Sequence, residues 1–186
     1  MKELQTDVVV IGAGTAGLSA YRNAKQFTPN VLMIESGPYG TTCARVGCMP
    51  SKLLIAAAEA AHSIEMAPAF GVHSSKPRID GKAVMARVKS ERDRFAGFVV
   101  EAVDDIPDED KIRGYAKFLD ANRVQIDDDI IITAKRFVIA TGSRPSYPGV
   151  FNNFGDKLII NDDVFNWDDL PKSVAVFGPG VIGLEI

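Results

Sequence analysis

The run Val8-Val9-Val10-Ile11, followed without a break by Gly12-Ala13-Gly14-Thr15-Ala16-Gly17, constrains this chain more than any other stretch. A short continuous apolar run suits a strand buried on both faces of a parallel sheet. Leu18-Ser19-Ala20-Tyr21-Arg22-Asn23-Ala24 then has helical character, and Val31-Leu32-Met33-Ile34 reads as a second buried strand. That strand ends at Glu35, before the turn Ser36-Gly37-Pro38. Strand, glycine turn, helix and strand make one βαβ unit of the expected length.

Each glycine has its own physical task in such a unit. Gly12 makes the tight turn, Gly14 lets backbone approach a pyrophosphate at the helix N-terminus, and Gly17 brings helix and strand together. Glu35, at the end of the next strand, can accept hydrogen bonds from a ribose. This is the full context of a dinucleotide site, although the spacing alone does not separate FAD from NAD. The competing reading is a glycine-rich turn in an α/β protein that binds no nucleotide.

Both cysteines lie in the next segment, Gly40-Thr41-Thr42-Cys43-Ala44-Arg45-Val46-Gly47-Cys48-Met49-Pro50-Ser51-Lys52, which leads into the helical Leu53-Leu54-Ile55-Ala56-Ala57-Ala58. On a regular helix, residues five apart are separated by ~7.5 Å along the axis and point about 140° apart. A disulfide needs closer, converging side chains. A bridge therefore requires an irregular first turn, which Gly47 permits. Cys48 would then sit near a helix N-terminus, where thiolate is favoured. The pair is a candidate two-electron store; the alternative is two unrelated buried thiols.

Composition narrows the class. Of the 186 residues, 46% are hydrophobic and 24% charged, as in ordinary globular domains. A net charge of -3 offers no electrostatic footprint for nucleic acid or an anionic membrane. The start, Met1-Lys2-Glu3-Leu4-Gln5-Thr6-Asp7, has no signal-peptide apolar core, so the default compartment is cytoplasmic. There a cysteine pair is redox-active or metal-binding more often than structural. His62 and His73 match no zinc spacing with Cys43 and Cys48, and no metal is expected.

Further along, Asp80 is expected to cap a helix carrying Val84, Val88, Phe95, Phe98, Val99 and Ala102 near one face. Its cations Lys82, Arg87, Lys89, Arg92 and Arg94 read as a solvated face. Asp104 to Asp110 reads as an acidic loop. Ile112–Phe118, Arg123–Ile126 and Ile130–Thr133 read as a small antiparallel meander. Arg136–Ala140 returns to a buried strand, broken by Thr141-Gly142-Ser143-Arg144-Pro145. Ser173–Phe177 reads as another buried strand, and a second glycine fingerprint, Gly178, Gly180 and Gly183, follows it. Two dinucleotide sites with a dithiol between them suggest a relay from nicotinamide to flavin to disulfide, the first site holding the flavin.

At this point the chain resembles the N-terminal part of a class I pyridine nucleotide–disulfide oxidoreductase, a flavoprotein family. The resemblance rests on Val10 to Gly17, Thr42 to Lys52, Ile139 to Pro145, and Gly178 to Glu185. The Cys-x4-Cys-x-Pro-Ser-Lys run is most similar to dihydrolipoamide dehydrogenases. The implied fold is α/β: a Rossmann-like, three-layer FAD-binding domain with a small antiparallel meander, plus the beginning of a second, NAD-binding Rossmann-like domain. Residues 1–145 would be the FAD-binding part, 146–172 a connecting segment, and 173–186 the start of the NAD(P)-binding part.

The resemblance also implies roles. Cys43 matches the interchange thiol that meets the substrate disulfide. Cys48 matches the thiol against the flavin, which forms a charge-transfer contact when reduced. Lys52 matches a lysine near the flavin's reactive edge, and Glu185 its ion-pair partner. Gly12, Ala13, Gly14, Thr15, Ala16, Gly17, Glu35, Ser36 and Thr42 would line the FAD, with Ala140, Thr141 and Gly142 as a second flavin-contacting segment. Tyr115 and Ala116 would lie beside the adenine, and Gly178, Gly180 and Gly183 would serve NAD(P). Thr41 and Arg45 depart from the family pattern, which has glycine and asparagine there.

Family members are far longer than this chain and carry a catalytic histidine in a C-terminal domain that also forms a homodimer. The 186 residues are therefore expected to be a fragment with little or no turnover. The apolar Ser173–Phe177 is expected to be either disordered or paired with another chain. The substrate would be a small or protein-bound dithiol or disulfide. A mercuric or glutathione reductase, a non-enzymatic FAD-binding module, and an NAD-dependent dehydrogenase are the alternatives.

Overall fold

The computed structural model describes residues 1–186. The chain divides into two compact units, residues 1–41 with 97–144, and residues 42–96 with 145–186.

In the first unit, strand β1 spans Lys2–Ile11, helix α1 Thr15–Ala24 and strand β2 Val31–Glu35. β1 is longer than the apolar run predicts. Its polar half pairs in parallel from Lys2↔Ile130 to Thr6↔Ala134 with strand β6, Ile130–Ile139, which fuses two expected strands. The expected strand Ile112–Phe118 is instead two: β3, Lys111–Arg113, and β4, Ala116–Asp120. Gly114 separates them with a φ of 153°, a backbone turn that re-aims the chain. β3 joins β2 in parallel, whereas β4 belongs to an antiparallel meander with β5, Arg123–Ile126, and β6. The six-stranded sheet has the order β3-β2-β1-β6-β5-β4, a mixed α/β arrangement.

Alternation along β1 explains why its run is apolar throughout. Val10 packs on one face with Leu18, Tyr21, Met33, Val103 and Ile106. Val9 and Ile11 pack on the other with Ile34, Val124, Ile126 and Ile132. Each such side chain, fully buried, contributes about 1.5–3 kcal/mol. One buried polar group crosses this core: Asp110 accepts hydrogen bonds from the Tyr21 hydroxyl and the Lys25 ammonium, both at 2.6 Å. Burial and that carboxylate push the Tyr21 hydroxyl well above its ordinary value.

In the second unit, helix α2 spans Thr42–Val46 and α3 Cys48–Met66. Helix α4, Gly81–Asp104, contributes its residues up to 96. Asp80 Oδ1 accepts from the Ala83 N–H at 3.0 Å, the expected cap. Val88, Val164 and Phe165 form a core joined by Val46, Leu53, Leu54, Trp167 and Ile186. Arg92 Nη1 donates to the Phe165 carbonyl and to Asn166 Oδ1, both at 3.0 Å. Glycine suits position 81, because a Cβ there would lie 2.9 Å from the Leu170 backbone nitrogen.

Ser173–Phe177 forms no strand. Val174, Val176 and Phe177 are 51%, 50% and 68% exposed; the run enters no ladder, and Phe177 packs on the Phe151 and Phe154 rings at 5.1 and 6.3 Å between centroids. A short helix, α5, spans Val181–Glu185 beyond it. No helix is long and apolar enough to cross a membrane.

Candidate active site

The first glycine turn is built by the sheet. The Gly12 N–H donates to the Ile34 carbonyl at 2.7 Å, and the Ala140 N–H donates to the Ile11 carbonyl at 2.8 Å. Gly12 has a φ of 112°, and a Cβ on it would lie 2.2 Å from the Ala140 carbonyl oxygen. A Cβ on Gly17 would lie 1.8 Å from the Gly12 carbonyl oxygen, so α1 seats directly on the turn. Gly14 differs: nothing stands within 4 Å of where its Cβ would be. Its absent side chain leaves open space at the N-terminus of α1, which carries no side-chain cap. Such uncapped amides are a ready anion site, and a dinucleotide pyrophosphate fits them.

Glu35 braces the same turn. Its Oε2 accepts from the Ala13 N–H at 2.8 Å and its Oε1 from the Gly37 N–H at 2.7 Å. Each oxygen keeps a further lone pair that a ribose hydroxyl could use. Ala13 is buried, while Thr15, Ala16 and Ser36 are exposed around the opening. Thr141 and Gly142 are exposed just beyond β6, and Gly142 has a φ of 69°. Ala116 begins β4, preceded by the exposed Tyr115. Asp127 holds Tyr115 through paired bonds: its Oδ1 accepts from the Tyr115 N–H, and its own N–H donates to the Tyr115 carbonyl, both at 3.0 Å.

In the second unit, the helix around the cysteines breaks at Gly47, whose φ of -132° and ψ of -121° lie outside the helical region. A Cβ there would come within 3.1 Å of the Thr42 carbonyl oxygen. The break places Cys43 as the second residue of α2 and Cys48 as the first residue of α3. Both are free thiols, Cys48 exposed and Cys43 half-buried. Hydrogen bonding with the Cys48 thiol, and then burial, push the Cys43 thiol above its ordinary value. Thr42, beside them, is exposed.

Lys52 and Glu185 form an ion pair. Ser51, which the sequence reading did not single out, completes it: its hydroxyl donates to Glu185 Oε2 at 2.6 Å. Adjacent residues of α3 therefore grip both oxygens of one carboxylate, and together, Lys52 first, they hold it below the usual range. The Pro-Ser-Lys sequence carried Ser51 in plain view, but its partner is 134 positions away. Gly178, Gly180 and Gly183 lead into α5 with a local shape close to that of the first turn. His62 and His73 are both exposed.

The pyridine nucleotide-disulphide oxidoreductase family model matches residues 6–186. A mercuric reductase from Lysinibacillus sphaericus is 33% identical over 184 residues, covering 97% of this chain and 33% of the relative. A dihydrolipoyl dehydrogenase from Chlamydia muridarum is 34% identical over 187 residues, 96% of this chain and 39% of the relative. This chain thus spans between a third and two fifths of their lengths. The HOCl-induced flavoprotein disulfide reductase RclA from Escherichia coli shares the fold, with a TM-score of 0.77 at 22% identity over 96% of this chain and 38% of that one. Family, relatives and fold agree with the paired thiols and the glycine turn: the chain belongs to the pyridine nucleotide-disulphide oxidoreductase family.

Proposed function

We propose that the whole protein is a FAD-dependent oxidoreductase that moves two electrons between a dithiol of the dihydrolipoamide type and NAD(P), through a Cys43–Cys48 disulfide. The observation that carries this reading is the helix break at Gly47, which sets two free cysteines, Cys43 on α2 and Cys48 at the start of α3, on either side of one glycine. Lys52 stands four residues beyond Cys48 on the same helix.

In the oxidised pair, a substrate thiolate attacks Sγ of Cys43, the S–S bond breaks, and Cys48 leaves as thiolate. The second substrate thiol loses its proton and displaces Cys43. The substrate departs as a disulfide, and its two electrons rest on the pair. A bound flavin supplies the step that passes those electrons on to a nicotinamide nucleotide. Lys52 would offer positive charge beside that flavin, with Glu185 and Ser51 fixing its place.

The first turn, with Gly12, Gly14, Gly17 and Glu35, would hold the FAD, and Gly178, Gly180 and Gly183 the NAD(P). In this reading residues 1–145 are the flavin-binding part, 146–172 a connection, and 173–186 the start of the nicotinamide part. The whole protein would be a cytoplasmic homodimer. Neither His62 nor His73 offers a buried, oriented base, so these 186 residues alone should show little turnover.

The relatives named mercuric reductase, at 33% identity, favour mercuric ion as a second substrate reading. The test begins with the absorption spectrum of the purified chain reconstituted with FAD. A long-wavelength band should appear on anaerobic two-electron reduction and vanish in Cys48→Ala. Bound flavin without that band in the wild type would leave a non-enzymatic flavin module. Assays of the whole protein with dihydrolipoamide, glutathione disulfide and mercuric ion then separate the substrates.

A further inference from the structure

Arg113 has no role in the reading above, yet it is wired to Glu35. The two residues are partners in the parallel register of β2 and β3. The Arg113 guanidinium donates through Nη1 to the Gly37 carbonyl, and it lies over the Tyr39 ring, 4.5 Å from its centroid. Gly37 also donates its N–H to Glu35 Oε1 at 2.7 Å. One residue is therefore clamped from both sides, by a carboxylate on its N–H and by a guanidinium on its C=O. A Cβ on Gly37 would lie 3.2 Å from Glu35 Oε1, so the clamp closes tightly. The backbone repeats the tie, since the Gly114 N–H donates to the Glu35 carbonyl at 3.1 Å.

The opposite end of β3 is fastened as well. Asp110, immediately before the strand, is bonded to Tyr21 and Lys25 at the C-terminal end of α1. β3 thus links the helix behind the glycine turn to the loop that follows Glu35. A planar guanidinium can bond in its plane and stack on its face at the same time, and an ammonium cannot.

We infer that Arg113 is the positioning residue for the adenosine ribose. It holds the 36–39 loop so that Glu35 presents its free lone pairs at one fixed place. The inference rests on the first turn holding the adenosine half of FAD. Arg113 itself need not touch the nucleotide.

ADP and 2′-deoxy-ADP are the probes, titrated calorimetrically into the 186-residue chain, because the Glu35 contact is to a ribose hydroxyl. Arg113→Met should weaken ADP about three- to tenfold, the worth of one well-placed hydrogen bond. It should leave 2′-deoxy-ADP nearly unchanged, so that the ratio of the two affinities narrows. The same substitution in a Glu35→Gln background should cost nothing further. Arg113→Lys, which keeps a donor for Gly37 but loses the stack on Tyr39, should give an intermediate ratio; it carries the test if Arg113→Met does not fold. Equal weakening of both probes, additive losses with Glu35→Gln, or no change at all would overturn the inference while leaving the turn's reading intact. A wild-type chain that binds neither probe would overturn both.

Discussion

The two glycine turns differ in their setting far more than in their shape. Gly12 and Gly178 have φ of 112° and 122°. The helix caps Gly14 and Gly180 have φ of -79° and -77°. A Cβ on Gly17 would strike the Gly12 carbonyl oxygen at 1.8 Å, and one on Gly183 the Gly178 oxygen at 2.1 Å. Yet the first turn follows a ten-residue strand paired on both sides, and the second follows an exposed segment with no strand. The local sequence alone suffices to write the turn and the first helical turn after it. The sheet needs partners from elsewhere, and only the first turn has them.

Each turn also has one carboxylate as an anchor. Glu35 reaches Ala13 and Gly37 beside the first turn, and Glu185 reaches Ser51 and Lys52 beyond the second. One acid reinforces a sheet; the other stands in for it.

The largest expected effect follows from that contrast. Gly17→Ala should destabilise the protein by roughly 3 kcal/mol or more, because neither the Gly12 backbone nor the buried strand behind it can retreat. Gly183→Ala should move the thermal midpoint hardly at all, since the exposed Gly178 turn can shift. Equal losses in the two variants would mean that the second turn is as firmly embedded as the first. Hydrogen exchange sharpens the comparison next. Amides of Val9–Ile11 should open only with global unfolding, on the order of 5 kcal/mol or more, while those of Val174–Phe177 should exchange almost freely. Protection at Val174–Phe177 would point to pairing with another chain.

The smallest effect concerns the Glu185 anchor. Lys52 and Ser51 favour its ionised form, so its folded pKa is depressed. The anchor is therefore complete above the ordinary carboxylate range and is lost as pH falls through the lowered value. Exchange of the Leu184 amide, which donates to the Gly180 carbonyl, should accelerate relative to its intrinsic rate across that fall. Ser51→Ala should bring the onset to higher pH. An unchanged profile in Ser51→Ala would remove Ser51 from the anchor.

Legibility in the sequence followed the range of the interactions. Val8–Ile11, the three glycines and Glu35 could be read because strand, turn and acid are neighbours along the chain. β3 was misplaced in the meander because Lys111-Ile112-Arg113 takes its identity from β2, far away in sequence. Ser173–Phe177 reads as a strand for the converse reason: its residues are suited to a ladder, and no strand within these 186 residues pairs with it. Cys43, Cys48 and Lys52 stood out as chemistry-bearing residues at telling spacings. Ser51 and Arg113 did not, because each acts only through a distant partner, Glu185 in one case and the loop after Glu35 in the other.

The break at Gly47 has a mechanical consequence. Two rigid rods, α2 and α3, carry one sulfur each and meet at a single residue without a side chain. Joining or parting the sulfurs then asks for adjustment at one pair of dihedrals rather than along a whole helix. For the proposed disulfide, the oxidised and reduced forms would share nearly one scaffold, and the nuclear reorganisation accompanying a two-electron exchange would stay small. A redox couple mounted in this way can cycle at the speed of its chemistry, with no folding step to wait for.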